Sequence, residues 1–381
     1  MESLLQSFLG DNLLTLVLYC ALPLVFIILY ALLAILGEVK ISAFMQDRLG
    51  PMRTGPYGII QPIADVLKLI QKEDITPKNA DKFLFNLAPY LSFMAAYAAF
   101  AVVPFSSQYV GANLNLGAFY LLAIGSLNVA AIMMAGWASN NKYSLYGAMR
   151  GVAQIVSYEV PAAMMLVIVV IFVGSLNLQD IIVAQSGPIW NWIVFGGPKA
   201  DVMLPSGQLF EASWINLVYL PFFLAAAVMY YITALAETNR TPFDIPEAES
   251  ELVSGYHTEY SGMKFAMFFM SEYLNIFTFS AMSEYANMFL VSAVTAILFF
   301  GGWNSPFGTY VGELVNVQWL VPVEQFLWFA FKGLFFVFVI IWLRWTLPRL
   351  RVDQLMYMCW KVLIPFSFAI ALIVGFLVVV L

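Results

Sequence analysis

Residues 152–174 read VAQIVSYEVPAAMMLVIVVIFVG, a run of 23 residues in which Glu159 is the single charged side chain. At a rise of about 1.5 Å per residue, this run would form a helix about 35 Å long, enough to cross a hydrocarbon core of about 30 Å. Lipid offers backbone groups no hydrogen-bond partner, so a segment that crosses a membrane in this way must be helical. The stretch therefore predicts a transmembrane helix.

Eight apolar runs of this kind recur along the chain, at residues 13–37, 83–105, 117–138, 152–174, 214–236, 265–300, 325–347 and 358–381. Of 381 residues, 62% are hydrophobic and 10% are charged, against about 45–50% and about 25% in soluble domains. The sequence predicts an all-α polytopic membrane protein, one membrane domain over residues 1–381 with eight transmembrane helices. The first run follows no basic residues and is too long for a signal-peptide core, so we expect a retained span.

The supply of metal-binding side chains is small. The chain has two cysteines, Cys20 and Cys359, and one histidine, His257. This set excludes an iron–sulfur cluster, a zinc site or a bis-histidine haem built by this chain alone.

The cations are distributed asymmetrically between the loops. The odd-numbered connections hold 14 of the 17 Lys and Arg residues, whereas the even-numbered connections hold only Lys199. By the positive-inside rule the odd loops face the cytoplasm or its equivalent, and both termini lie outside. We expect a bacterial cytoplasmic membrane, with an organelle inner membrane as the second possibility. The inner loops also carry most of the acids, which favours a docked protein over nucleic acid.

The first inner loop, residues 38–82, begins with glycines and prolines and continues as QPIADVLKLIQK from Gln61. Its apolar residues recur at helical spacing, with Asp65 and Lys68 off the stripe. This pattern predicts an amphipathic helix at the membrane interface. Its simplest role would be to anchor the loop.

The third inner loop, residues 237–264, holds six carboxylates within 23 residues, and Arg240 and His257 are the only possible cationic partners before Lys264. Glu247 and Glu251 are four apart and would share a helix face, so their titrations should couple. A solvated acidic loop is the simpler interpretation.

Ionisable side chains also fall within or at the ends of the predicted spans: Glu38, Glu159, Glu272, Glu284 and Lys332. Such groups commonly mark proton or ion paths, so they indicate a buried polar path. The alternative is a set of interhelical hydrogen bonds that only hold the bundle together.

The chain resembles one family along its whole length, the H-subunit of bacterial NADH-quinone oxidoreductase, which is equivalent to mitochondrial subunit 1 of complex I. The resemblance is carried by QDRLGP at 46–51, QPIADVLKL at 61–69, GWASNNKYSL at 136–145, SYE at 157–159, ETNRTPFD at 237–244, PEAESEL at 246–252, GYHTEYSG at 255–262 and PRLRVDQL at 348–355.

This resemblance implies a subunit without a bound prosthetic group that completes a cavity for the substrate quinone. Its partners would be peripheral iron–sulfur and quinone-site subunits on the inner face, small and antiporter-like membrane subunits, and lipid. The implied quinone-tunnel residues are Glu38, Arg48, Gln61, Asp65, Lys68, Arg240 and Phe243. The implied proton-relay residues are Glu159, Glu237, Asp244, Glu247, Glu249, Glu251, Glu259 and Glu272.

Two departures from the family pattern stand out. The first span ends Glu38-Val39-Lys40 where the family usually has Glu-Arg-Lys, and Ser271-Glu-Tyr273 recurs as Ser283-Glu-Tyr285. The repeat adds about 12 residues, or about 18 Å of helix. We expect Glu272 rather than Glu284 to be the relay acid, because its short tether to the acidic loop fixes its depth.

Other functions remain open from the residues alone. The chain could be a purely structural adaptor, or the membrane anchor of a ferredoxin-linked or hydrogenase-type complex. A stand-alone transporter is disfavoured, because the sequence shows no internal repeat and no paired broken spans.

Overall fold

The structure, a computed structural model, describes residues 13–73, 75–199, 201–207, 209–210, 214–245, 255–261, 282–315, 317 and 319–380. Helices dominate this part of the chain. In chain order they are α1 (Leu13–Met45), α2 (Gln61–Gln71), α3 (Lys82–Phe100), α4 (Gly117–Ala138), α5 (Lys142–Val173), α6 (Leu178–Ala184), α7 (Leu220–Glu237), α8 (Met282–Phe299), α9 (Val311–Leu314), α10 (Leu320–Thr346), α11 (Val352–Tyr357) and α12 (Ile364–Val380). A short antiparallel pair, β1 (Val202–Met203) and β2 (Leu209–Phe210), lies between α6 and α7.

Seven helical segments in the described part are long and apolar enough to cross a membrane. They are α1, α3, α4, α5, α7 with the 3₁₀ turn before it, α10, and the continuous segment Val352–Val380, in which a π-helical turn joins α11 to α12. This confirms the predicted all-α membrane protein. The count of eight is not confirmed, because α8 covers only the second half of the run 265–300 and residues 262–281 lie outside the described part.

Two spans extend further toward the predicted inner side than their apolar runs do. The side chain of Asn141 accepts a hydrogen bond from the Tyr143 amide and caps α5, which therefore begins ten residues before the apolar run 152–174. Helix α1 continues beyond residue 37 to Met45, so Glu38 lies inside a helix rather than at its end.

The predicted amphipathic helix is present as α2. Asp65 is 7% exposed and faces the protein, whereas Leu67 is 53% exposed. An exposed apolar side chain beside a buried carboxylate is compatible with a helix that lies at a membrane interface.

Aromatic side chains hold the described part of α8 inside the bundle. Phe289 is fully buried, and its ring centroid lies 5.1 Å from Phe26 and 4.9 Å from Tyr30 of α1, and 6.1 Å from Phe329 of α10. Aromatic pairs at these distances add to the stabilisation that burial gives. Helix α8 is therefore an interior element of the bundle.

The end of the acidic loop is fixed on the helices α3 to α5. The Tyr260 ring stacks on Phe85 with centroids 3.9 Å apart, and Ser144 Oγ donates to the Tyr256 carbonyl at 3.1 Å. A Cβ added at Gly147 would lie 2.6 Å from the Gly255 Cα, so only glycine permits this approach. Burial raises the pKa of the Tyr260 phenol, which stays protonated and donates to the Phe85 carbonyl.

Candidate functional site

The first polar cluster joins α1, the loop after α7 and α10. Arg240 Nη1 donates to Glu38 Oε1 at 2.9 Å, and Arg344 Nη1 donates to the same oxygen. Glu38 is 5% exposed and Arg240 is 3% exposed. Two guanidinium groups therefore place positive charge directly against this buried carboxyl group.

The second polar cluster lies on α2. Gln61 accepts from Thr54 Oγ1 at 2.6 Å and donates to Asp65 Oδ2 at 3.0 Å. The Lys68 Nζ atom lies 3.6 Å from Asp65 Oδ1, and the Lys68 side chain is 61% exposed. Three of the predicted tunnel residues therefore form one chain of contacts, which runs from the half-buried Gln61 through the buried Asp65 to the exposed Lys68.

The remaining predicted tunnel residues have different surroundings. Arg48 is exposed, and its Nε donates to Gln46 Oε1 at 2.7 Å. Phe243 is buried and meets the Tyr158 ring edge-on, with centroids 5.6 Å apart. The structure thus places Phe243 inside the bundle beside α5 and leaves Arg48 at the surface.

Gln154 of α5 holds the loop that carries Arg240 and Phe243. Its Nε2 donates to the carbonyls of Ala236 and Phe243, both at 2.8 Å, and also lies 3.2 Å from Asn239 Oδ1. Gln154 is 1% exposed. Because buried hydrogen bonds to main-chain carbonyls fix backbone position, this amide sets where the loop leaves α7.

Two of the predicted relay acids face the same small space. A Cβ built on Gly125 of α4 would lie 3.6 Å from Glu159 Oε1 and 3.7 Å from Glu237 Oε1. Glu159 lies in α5 and Glu237 is the last residue of α7, so three helices meet here. Two carboxyl groups this close to one point interact electrostatically.

A small polar cavity adjoins Glu237. Its volume is about 10 Å³, and it is lined by Ser92, Asn128, Ile132, Glu237, Thr238, Asn239, Tyr256 and Asn287. The side chains of Ser92 and Asn128 are hydrogen-bonded to each other at 2.7 Å. A polar cavity of roughly 10–15 Å³ can hold one water molecule. This cavity connects Glu237 to α3, α4 and α8.

The other two described relay acids lie in loops, and each contacts a residue close to the end of a helix. Asp244 is contacted by Arg349, whose Nη2 lies 3.9 Å from Asp244 Oδ1 and donates to the Asp244 carbonyl. Glu259 Oε1 accepts from Asn141 Nδ2 at 2.6 Å, which ties the acidic loop to the N-terminus of α5.

Several predicted relay acids fall outside the described residues: Glu247, Glu249, Glu251 and Glu272. Glu284 belongs to α8, but its side chain is likewise not described. The choice of Glu272 over Glu284 as relay acid stays a prediction.

Lys332 has a well-defined set of partners in the bundle. Its Nζ donates to the carbonyls of Phe300 at 2.8 Å, Gly302 at 3.0 Å and Asn304 at 2.7 Å. The ammonium group also lies 4.1 Å from the centroid of the Trp192 ring. All three ammonium hydrogens are used, so Lys332 acts as a cap on the chain that leaves α8, which matches the alternative of interhelical hydrogen bonding.

Three residues that organise the site carried no assigned role in the sequence. Arg344, Gln154 and Gly125 all lie within predicted spans, and none of them was assigned a function. A polar amide inside an apolar span, as at Gln154, is a signal that could have been used. A glycine in a span gives no such signal, because its role depends on which side chains of neighbouring helices lie beside it.

The family model described as NADH dehydrogenase matches residues 18–284 and 277–375. The chain belongs to the NADH dehydrogenase family. Relatives include the NADH-quinone oxidoreductase H-subunit of Chlorobium luteolum, 53% identical over 349 residues, which are 91% of this chain and 85% of the relative. The H-subunit of Chlorobaculum parvum is 51% identical over 92% of this chain and 89% of its own length. The second H-subunit of Cytophaga hutchinsonii is 43% identical over 93% of this chain and 96% of its own length.

These relatives confirm the resemblance to the H-subunit family. With its seven helices long enough to span a membrane, the chain is a multi-pass membrane protein of this oxidoreductase family. The two segments matched by the family model overlap at residues 277–284, which follow Ser271-Glu-Tyr273 and include Ser283 and Glu284 of the repeated motif.

Proposed function

We propose that this chain is the membrane subunit of a proton-translocating NADH-quinone oxidoreductase that completes the quinone cavity and begins a carboxylate proton relay. The cavity residues would be those around Glu38, Asp65 and Arg240. The relay would begin with Glu237 and Glu159.

One observation carries this proposal: a single short segment takes part in both clusters. Glu237 ends α7 and faces Glu159 across Gly125, and Arg240, three residues later, binds Glu38. Phe243 and Asp244 follow in the same segment. A change of charge at Glu38 and Arg240 would therefore be felt at Glu237 through a few bonds of backbone that Gln154 holds in place.

The proposed mechanism uses charge alone. When a neighbouring subunit reduces the quinone, negative charge develops in the cavity and attracts Arg240 away from Glu38. Any shift of the Arg240 segment alters the field at Glu237 and Glu159, whose proximity makes their proton affinities sensitive to it. A proton would then redistribute between the two acids, with the polar cavity beside Glu237 as its route toward α3 and α8.

The partners and orientation follow from the distribution of charge. The inner loops would dock the peripheral iron–sulfur and quinone-site subunits, and the lateral helices would contact the small and antiporter-like subunits. With 14 cations in the odd loops, we place those loops on the cytoplasmic side of a bacterial membrane and both termini outside.

Purification of the intact complex through a tag on this chain tests the proposal. We expect co-migrating iron–sulfur subunits and NADH-driven quinone reduction in the same peak. A complex that accepts electrons from ferredoxin but not from NADH would instead indicate a ferredoxin-linked anchor. A complex with no quinone reductase activity from either donor would overturn the quinone assignment.

A further inference from the structure

An apolar groove runs along the outside of the bundle between α7 and α10. Its volume is about 740 Å³, and residues such as Leu224, Leu235, Phe336 and Leu347 line it. Val228, in the middle of the α7 side, is 55% exposed. The groove therefore opens toward the surroundings of the bundle, which at this depth are hydrocarbon.

The lining offers no free polar group to a ligand. Among the described lining residues, only Tyr231 and Thr295 carry a side-chain hydroxyl, and both hydroxyls are already used. Tyr231 Oη donates to the Phe336 carbonyl at 2.8 Å, and Thr295 Oγ1 donates to the Val291 carbonyl at 2.8 Å. A ligand with a polar headgroup would leave that group unsatisfied here, which is costly. The occupant of the groove must be hydrocarbon.

The length of the groove fits an acyl chain within one leaflet. The lining residues of α7 run from Leu224 to Leu235 and those of α10 from Phe336 to Leu347, a length of about 16 Å on each helix. That is about half of a hydrocarbon core of about 30 Å, the depth of one leaflet.

Cationic side chains lie at one end of the groove. The lining residues Pro348 and Leu350 alternate with Arg349 and Arg351. Arg349 contacts Asp244, whereas the side chain of Arg351 is exposed. Lys361 is also exposed, three residues after the lining residue Met358.

Within residues 348–361 the cations outnumber the acids. This segment has three cations and one acid, Asp353, which is exposed. Trp360 and Tyr357 are 59% and 58% exposed, as aromatic residues at a membrane surface commonly are. An apolar channel one leaflet deep that ends in exposed arginine and lysine matches an anionic lipid, with its chain in the groove and its phosphate at the cations.

We propose that this groove binds an anionic phospholipid, with an acyl chain between α7 and α10 and the phosphate beside Arg351. Phe243 is the one predicted tunnel residue that also lines the groove, and the proposal does not depend on the quinone assignment. The lipid would fill the gap between α7, which leads into the segment with Arg240, and α10, which carries Arg344.

Photolabelling of the intact detergent-solubilised complex tests this site. Two probes are compared, phosphatidylglycerol and phosphatidylcholine, each with a diazirine on one acyl chain, and labelled peptides are identified by mass spectrometry. We expect the phosphatidylglycerol probe to label peptides from α7 and α10 more strongly than the phosphatidylcholine probe does. Equal labelling by the two probes would overturn the recognition of an anionic headgroup.

Two variants separate the acyl chain from the headgroup. Val228→Trp fills the groove and should reduce labelling of α7 and α10 by both probes, whereas Leu372→Trp, an equally bulky change at a 75% exposed position of α12, should not. Arg351→Gln should lower phosphatidylglycerol labelling about fivefold, the contribution of one cation at the membrane surface. The matched change Arg53→Gln, at another exposed arginine, should leave it unchanged.

Other occupants would give different results. If excess quinone displaces the probe from α7 and α10, the groove holds a quinone tail and the proposal is wrong. If neither probe labels these helices in the wild-type complex, a neighbouring subunit covers the groove and the proposal is equally wrong. Both results come from the wild-type complex, so they do not depend on whether Val228→Trp assembles.

Discussion

Arg240 Nη1 donates to Glu38 Oε1 at 2.9 Å and so joins two residues 202 positions apart, one in α1 and one in the loop after α7. Both side chains are buried, and Arg344 of α10 binds the same carboxylate. Three separate parts of the chain thus meet at one buried carboxyl group.

Replacing Arg240 with glutamine should lower quinone reduction by the complex and leave reduction of a soluble artificial acceptor by the peripheral arm intact. The change leaves Glu38 with only Arg344, and removing one partner of a buried ion pair costs about 3–5 kcal/mol. Arg53→Gln, at an exposed arginine, is the matched control and should behave as wild type. If both activities of Arg240→Gln fall together, Arg240 has a structural role only.

Replacing Gly125 with alanine should impair proton translocation without destabilising the complex. The new methyl group would lie at van der Waals distance from Glu159 and Glu237, 3.6 Å and 3.7 Å from the two Oε1 atoms, and would occupy the space between them. Alanine favours a helix over glycine by about 1 kcal/mol, so the melting temperature should stay the same or rise.

Gly375→Ala is the control for Gly125→Ala, because an added Cβ at Gly375 of α12 would meet nothing within 4 Å. Proton translocation should be unchanged in this variant. Normal translocation in Gly125→Ala as well would show that the gap between the two acids is not needed.

Replacing Lys332 with methionine should lower the melting temperature of the purified complex. The change removes the donor for three main-chain carbonyls, and each buried unsatisfied carbonyl costs about 1–3 kcal/mol. Lys361→Met, at an exposed lysine, should have little effect. An unchanged melting temperature together with lost proton translocation would instead indicate that Lys332 belongs to a buried polar path for protons.

Single cysteines should reveal the orientation of the chain. A cysteine at Asn79, in the first odd loop, should react with an impermeant thiol reagent only from the inner side, and one at Gln108, in the first even loop, only from the outer side. Both positions are exposed. The reverse pattern would contradict the orientation drawn from the loop cations.

The sequence alone predicted the elements better than the contacts between them. The length of the apolar runs was enough to find the spans, because a helix must be apolar over a minimum length to cross a membrane. The start of α5 was missed, because its first ten residues, which follow Asn141, lie outside the apolar run. The signal for this start is the capping residue Asn141 rather than apolar length. Residues 265–300 were predicted as one span, and the structure describes only α8 within that range.

The site residues were found through family resemblance, but their pairing was not. Glu38 and Arg240 were both named, yet nothing in either motif says that they bind each other, because that depends on how distant parts of the chain pack together. Arg48 was named with them and lies at the surface. Gly125 could not have been found, because the absence of a side chain matters only where two carboxylates converge.

The proton yield of Glu237→Gln membranes tests the central claim most directly, that one segment couples the quinone cavity to the relay. Inverted membrane vesicles would be given NADH and quinone, and protons translocated per NADH oxidised would be measured beside the quinone KM. We predict a strong loss of proton translocation, with an unchanged KM for whatever quinone reduction remains, since Arg240 and Glu38 are intact. A wild-type ratio of protons to NADH at normal turnover would contradict this coupling.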